Sequence, residues 1–314
     1  MTTTAATSSP HATSRPVLER VAGAPISWGV CEVPGWGWQY DPETVLTQMR
    51  EVGLRATEFG PEEFLPSVPK ERAALLAAHD LAAVGQFIPV VLHRPDHDPL
   101  PEVDRAMDAL VEAQASTVVL AAATGAEGYD ARPVLDHDGW KTLLRNLDRL
   151  DEAAAARGLR ATLHPHVGTI VETRHETDRV LEGSSVALCL DTGHLLIGGG
   201  DPVAVARRTP TRIGHVHLKD VDAEIAGQVR SASLTYTQGV RAGMYRPLGA
   251  GDVDVAAIVT ALEQSGYAGW YVLEQDTILD ADPAHDAAVP APLDDIRVSI
   301  EHLRQVATTL DTPA

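Results

Sequence analysis

The sequence predicts a parallel (β/α)8 barrel, and three observations carry that expectation. From about Ala22 onward eight short apolar runs each precede a longer amphipathic one. No shift in composition divides the chain, and the turn after the first run reads SWGVCEVPGWG instead of the GxGxxG turn of an open nucleotide-binding sheet. A single barrel over residues 19–314 behind a tail at 1–18 accommodates the 314 residues.

In chain order the predicted strands are 24–28, 55–59, 82–88, 117–121, 160–164, 187–191, 213–218 and 270–275, each a compact apolar run with β-branched or aromatic members. Between them the spacing predicts helices over 42–51, 70–79, 102–114, 140–157, 175–182, 202–208 and 255–265, with 293–310 closing the chain. Pro42 and Pro202 suit a first helical turn, and Gly53, Gly158 and Gly266 follow helix ends, where a left-handed residue stops the hydrogen-bond ladder. One connection, 220–254, is long for a compact domain, so it is expected to cover a site.

Composition narrows the class of function. Apolar residues make up 44% and charged residues 22%, the balance of an ordinary globular protein. The net charge of -19 is uninterrupted by any basic run and repels phosphate backbones and anionic lipid, which argues against nucleic-acid and membrane partners. Cys31 and Cys189 have no CxxC spacing and read as reduced thiols. The Thr-, Ser-, Ala- and Pro-rich start lacks the apolar stretch of a signal peptide or a membrane span, so a flexible tail and a cytoplasmic location are expected.

In a barrel the residues that end the strands converge on one mouth. Here LHPHVGT presents His164, LCLDTGH presents Asp191, GHVHLKD presents His217, and YVLEQD presents Glu274. Two imidazoles and two carboxylates suit Mn²⁺, Co²⁺, Fe²⁺ or Zn²⁺ better than the all-oxygen shells of Mg²⁺ and Ca²⁺. Any one of them alone reads more simply as a capped or hydrogen-bonded core residue. Burying four at successive strand ends without a shared cation costs roughly several kcal/mol each, so jointly they read as metal ligands. His215 shares the face of His217 but lies deeper, and His166 competes with His164 as ligand and is otherwise expected to touch substrate. His194, Glu58 and Lys219 are placed to move protons, and His93 to recognise a hydroxyl. Trp28, Trp36 and Trp38 cluster at the first strand-to-helix turn, where aromatic faces can stack on a sugar or cyclitol ring or simply pack.

The segments APISWG, GWGWQYDPETVLTQM, TEFGPEEFLP, LHPHVGT, LDTGHLLIGGGDP, HVHLKDV, YRPLGAGDVD and GWYVLEQD resemble the xylose-isomerase-like barrels of sugar isomerases and epimerases, and most narrowly their inosose dehydratase branch. The resemblance covers nearly everything after the tail. It implies Mn²⁺ or Co²⁺, a small polyhydroxylated carbonyl substrate touched by Trp28, Trp38, His93, His166 and Arg246, and a homo-oligomer, dimer or tetramer. In the isomerases and epimerases the metal is usually held by Glu, Asp, His and Glu, and both glutamates move protons; here His164 takes the first place. Losing one of two symmetric bases favours one-way chemistry, and the implied reaction is dehydration of 2-keto-myo-inositol through an enediolate. Three rivals remain at the level of sequence: a ketose or ketocyclitol isomerase or epimerase with the same metal, a metal-dependent endonuclease, which the acidic charge disfavours, and a sugar-binding barrel without chemistry.

Overall fold

The computed structural model describes residues 15–126, 128–286 and 288–311. Its strands are β1 (Val21–Gly23), β2 (Ala56–Thr57), β3 (Ala82–Ala83), β4 (Gly85–Val90), β5 (Thr117–Ala122), β6 (Arg160–Leu163), β7 (Ala187–Asp191), β8 (Ile213–Leu218), β9 (Asp220–Val221), β10 (Tyr245–Arg246) and β11 (Tyr271–Leu273). All but β9 and β10 form one parallel sheet in the order β3-β2-β1-β11-β8-β7-β6-β5-β4. Its two ends are halves of one strand interrupted at Val84. That residue donates its N–H to Thr57 O on one side, and its carbonyl accepts from Thr117 N on the other, so the sheet closes on itself as an eight-stranded barrel.

The first strand lies earlier than expected. Pro25 brings no N–H to a ladder, and Pro25–Trp28 turns as a 3-10 helix after the chain has already paired at Val21–Gly23. The other seven strands fall within two or three residues of their expected bounds, and β7 and β8 match them. Of the expected tail, residues 1–14 lie outside the described residues, while Val17 is buried in a 3-10 turn.

Outside the sheet, helices bury Val45, Leu46, Met49, Met107, Leu143 and Leu262 against it in a continuous core. The lumen instead carries small residues at its closed end, Ala22, Ala56, Val84 and Val272, and polar ones nearer the mouth. Helix boundaries follow local chemistry. Asp41 caps Pro42–Glu51 by accepting from Thr44 N, Thr173 and Glu176 form a reciprocal box on Arg174–Gly183, and the helix Val255–Gln264 runs out at Ser265, with Gly266 left-handed at φ 81° behind it. Among the described residues no helix is long and apolar enough to cross a membrane.

The long connection holds two short helices, Ala223–Arg230 and Tyr236–Arg241, that the sequence pattern did not announce. It is tied at both ends. β9 pairs antiparallel with β10, and the buried Asp220 carboxylate accepts N–H bonds from Val221, Gly249, Gly251 and Val253 at 2.8–2.9 Å. A Cβ on Gly251 would stand 2.3 Å from Asp220 Oδ1, so only glycine lets the backbone come this close. Removing the carboxylate in Asp220→Ala orphans four donors, of which Val221 N and Val253 N are buried. The variant should lose on the order of 3 kcal/mol in urea unfolding, with faster amide exchange at 249–253; unchanged stability and exchange would contradict this account of the loop.

Candidate active site and metal centre

Side chains alternate along each strand, so Thr162 with His164, Cys189 with Asp191, His215 with His217 and Lys219, and Val272 with Glu274 all face the lumen. One ligand atom from each of His164, Asp191, His217 and Glu274 lies within 4.8 Å of the other three. His164 Nε2 is 3.2 Å from Asp191 Oδ2 and 4.0 Å from Glu274 Oε2, while His217 Nδ1 is 3.7 Å from Asp191 Oδ2 and 2.6 Å from Glu274 Oε2. His217 Nδ1 and Glu274 Oε2 do not meet in hydrogen-bond geometry, and both are buried without another hydrogen-bond partner. Buried polar atoms ordinarily pair with one another. These converge on a common point instead, and the mixed nitrogen and oxygen donor set fits a divalent transition ion.

Two of the four, Asp191 and His217, are oriented from behind. Asp191 ends β7 and caps the short helix Thr192–Ile197, accepting from His194 N through Oδ1 at 2.7 Å, which turns Oδ2 toward the cluster. Burial pushes the Asp191 carboxyl up to about 6 despite the neighbouring Lys219. Burial also holds His164 well below its usual range, which keeps its ring neutral and its lone pair available. Glu58, after β2, reaches across the lumen so that Oε1 meets His215 Nε2 at 2.8 Å and His217 Nε2 at 3.1 Å. Burial alone would raise its carboxyl, but His217 and His215 hold it down at about 2.

Lys219 continues the lumen face of β8. Its ammonium contacts Asp276 and lies 3.1 Å from Glu274 Oε2 and 3.8 Å from Asp191 Oδ2. Burial opposes the charge, yet these three carboxylates together raise the pKa well above the ordinary lysine value. Tyr236 donates to the other oxygen of Asp276 at 2.5 Å, and its hydroxyl lies 2.8 Å from that of Tyr245. Both tyrosines come from the long connection, which therefore reaches the site as its length foretold.

Above the cluster opens a cavity of about 590 Å³, with Trp36, Phe87 and Tyr129 among its apolar walls and Glu58, His166, Lys219, Glu274 and Asp276 among its polar ones. The structure thus brings together Glu58, His164, His166, Asp191, His194, His217, Lys219 and Glu274. It does not bring Trp28, Trp38, His93 or Arg246 to the cavity. Trp28 is fully buried with Nε1 bonded to Gln48 Oε1 at 2.9 Å, because the turn Pro25–Trp28 directs it onto the first helix. Trp38 sets its ring edge against Tyr40, with its backbone bridged to Leu279. His93 lines a separate depression with Arg94 and Asp136, and Arg246 pairs with Asp222 at 3.1 Å. Trp36, the middle tryptophan, is the one that reaches the wall. Sequence reasoning passed over Asp276, although the same period of two that selects Val272 and Glu274 leads to it; Tyr236, Tyr245 and Tyr129 carried no such periodic signal.

Comparison with known proteins bears on the fold and the family. The profile of the xylose isomerase-like TIM barrel family matches residues 46–306. The chain is 31% identical over 264 residues to an inosose dehydratase of Geobacillus thermodenitrificans, covering 81% of this chain and 88% of that one. It is 32% identical over 300 residues to the rhizopine catabolism protein MocC of Rhizobium meliloti, covering 92% and 88%. Among solved structures the IolI protein, determined with a bound zinc atom, superposes with a TM-score of 0.68 at 14% identity over 94% of this chain and all of that one. An L-ribulose 3-epimerase does so at 0.67 and 17% over 93% and 95%; at these identities the likeness is one of fold.

Asp191 bears directly on the cluster with one oxygen and on the helix start with the other. Asp191→Asn should therefore weaken binding of Mn²⁺ or Zn²⁺ by more than about 100-fold, beyond the loss that removing an outer partner causes. Metal content after dialysis and calorimetric titration check this, and full retention of the ion would break the assignment.

Proposed function

The chain belongs to the xylose isomerase-like TIM barrel family, and from that premise we propose that it is a metal-dependent dehydratase of 2-keto-myo-inositol or a closely related ketocyclitol. The observation that carries the proposal is the asymmetry of the ligand set. His164 stands where the isomerases and epimerases that the sequence resembles present a carboxylate, so Glu274 is the one glutamate among the four candidate ligands. The inosose dehydratase relatives support the same reading.

His164, Asp191, His217 and Glu274 would hold the ion, Mn²⁺ or Co²⁺ by the resemblance. When bound it supplies Lewis-acid stabilisation of the negative charge that develops on the keto oxygen. Glu274, kept as a carboxylate by Lys219 at 3.1 Å, takes the proton from the carbon bearing the α-hydroxyl, which leaves an enediolate. The β-hydroxyl then departs as water with a proton from Lys219, and the resulting enol tautomerises to a 1,2-dione. Asp276 and Tyr236 fix the lysine for that transfer. His194 accepts from Val167 N through Nδ1 at 3.4 Å, which places its hydrogen on the buried, unpartnered Nε2. Trp36, Phe87 and Tyr129 supply apolar faces for the ring and exclude water.

Incubating the Mn²⁺- or Co²⁺-loaded protein with 2-keto-myo-inositol should produce the ultraviolet absorbance of a conjugated dione. Lys219→Met should lower kcat by about 10² to 10⁴, the span usual for an acid–base group. An epimeric ketone formed with no change in absorbance would instead assign the protein to the epimerases.

A further inference from the structure

We infer that Glu58 is a positioning residue that makes His217 a ligand through Nδ1, by accepting the hydrogen of Nε2 on the opposite edge of the ring. The inference rests on the metal reading given above.

A neutral imidazole carries one hydrogen and one lone pair, and a ligand nitrogen must present the lone pair. His217 is approached from both sides: Nδ1 faces Asp191 and Glu274, and Nε2 lies 3.1 Å from Glu58 Oε1. An ionised carboxylate only accepts, so Glu58 sends the hydrogen to Nε2 and leaves Nδ1 bare toward the cluster. Glu58 cannot easily turn away. Its N–H bonds Gly23 O at 2.9 Å, its side chain is only 2% exposed, and His215 donates to the same Oε1 at 2.8 Å. This explains a pattern the sequence left open, two histidines at i and i+2 on one face of β8: His217 reaches the ion, and the deeper His215 holds the acceptor that orients it. Outer partners of this kind fix ring orientation and raise ligand basicity. Glu58 lies on the side of His217 away from the other three ligands, which also accounts for its exclusion from the four-residue set.

The competing arrangement is a second ion. Glu58, His215 and His217 also bring ligand atoms within 4.8 Å of one another. The contacts of 2.8 and 3.1 Å are ordinary hydrogen-bond lengths, and each is satisfied by a single ring hydrogen, which favours the hydrogen-bonded reading.

The metal-stripped full-length protein, with Glu58→Gln and Glu58→Ala, is titrated with CoCl₂ alone and followed by its visible ligand-field absorbance. Long-range ¹H–¹⁵N correlation of the zinc-loaded wild type reads the ring nitrogens. One equivalent of Co²⁺ is expected, with the hydrogen of His217 on Nε2. Glu58→Ala should bind about 10- to 100-fold more weakly with an altered band shape, and Glu58→Gln, still able to accept, should lose less. A hydrogen on Nδ1 of His217, or wild-type affinity in Glu58→Ala, overturns the inference while leaving the metal reading intact. So do two equivalents, one of them lost with Glu58. A wild type that binds no divalent ion overturns both. Should the alanine variant not fold, the isosteric glutamine variant and the zinc-form spectrum decide the question.

Discussion

The ammonium of Lys219 lies among three buried carboxylates, those of Asp191, Glu274 and Asp276. One positive charge cannot balance three negative ones, and burial removes the water that would otherwise screen them. Negative charge is in excess among these four groups, and the two imidazoles beside them complete a donor set suited to a divalent transition ion. Burial pushes the Asp191 carboxyl up to about 6 in this setting, with Lys219 opposing the rise and Glu274 adding to it. Much of the surrounding structure serves to hold the excess in place. The short helix on Asp191, the Tyr236 hydroxyl on Asp276 and the Glu58 carboxylate behind His217 each fix one member.

The convergence of the four candidate ligand side chains was legible because a strand has a period of two and a barrel has one lumen. Once the ends of the fifth, sixth, seventh and eighth predicted strands were located, alternation required that His164, Asp191, His217 and Glu274 face the same space, and it set His215 one layer below His217. Alternation also permitted His164 and His166 alike. The chain leaves β6 at Leu163, and His166 lies in the following turn beside His194, with ring centroids 3.8 Å apart, so the two histidines reach the site at different depths.

What the sequence concealed belongs to irregular backbone. Three tryptophans within eleven residues of one turn read as one cluster, yet the 3-10 turn at Pro25–Trp28 and the left-handed Gly35 and Gly37 send them in separate directions, one into the helix layer, one to the cavity and one to the edge. The first strand was misplaced for a related reason, since apolar residues continue past its end into that turn and periodicity cannot register a proline's missing donor. Tyr236 and Tyr245 were hidden within the long connection, where no repeating pattern fixes direction and only a tertiary contact, with Asp276, gives them a place.

Lys219 and Asp220 are neighbours in sequence that point opposite ways, one into the lumen and the other into the glycine-rich cradle at 249–253. With β9 paired to β10, the excursion between them leaves and re-enters the body of the protein at nearly one place. Such a segment behaves as an exchangeable module. Its length can change while the register of the barrel stays fixed and Tyr236 keeps its place on Asp276, because lengthening an already closed loop adds little entropic penalty. The shape of the cavity roof can thus vary independently of the strand ends that form its floor.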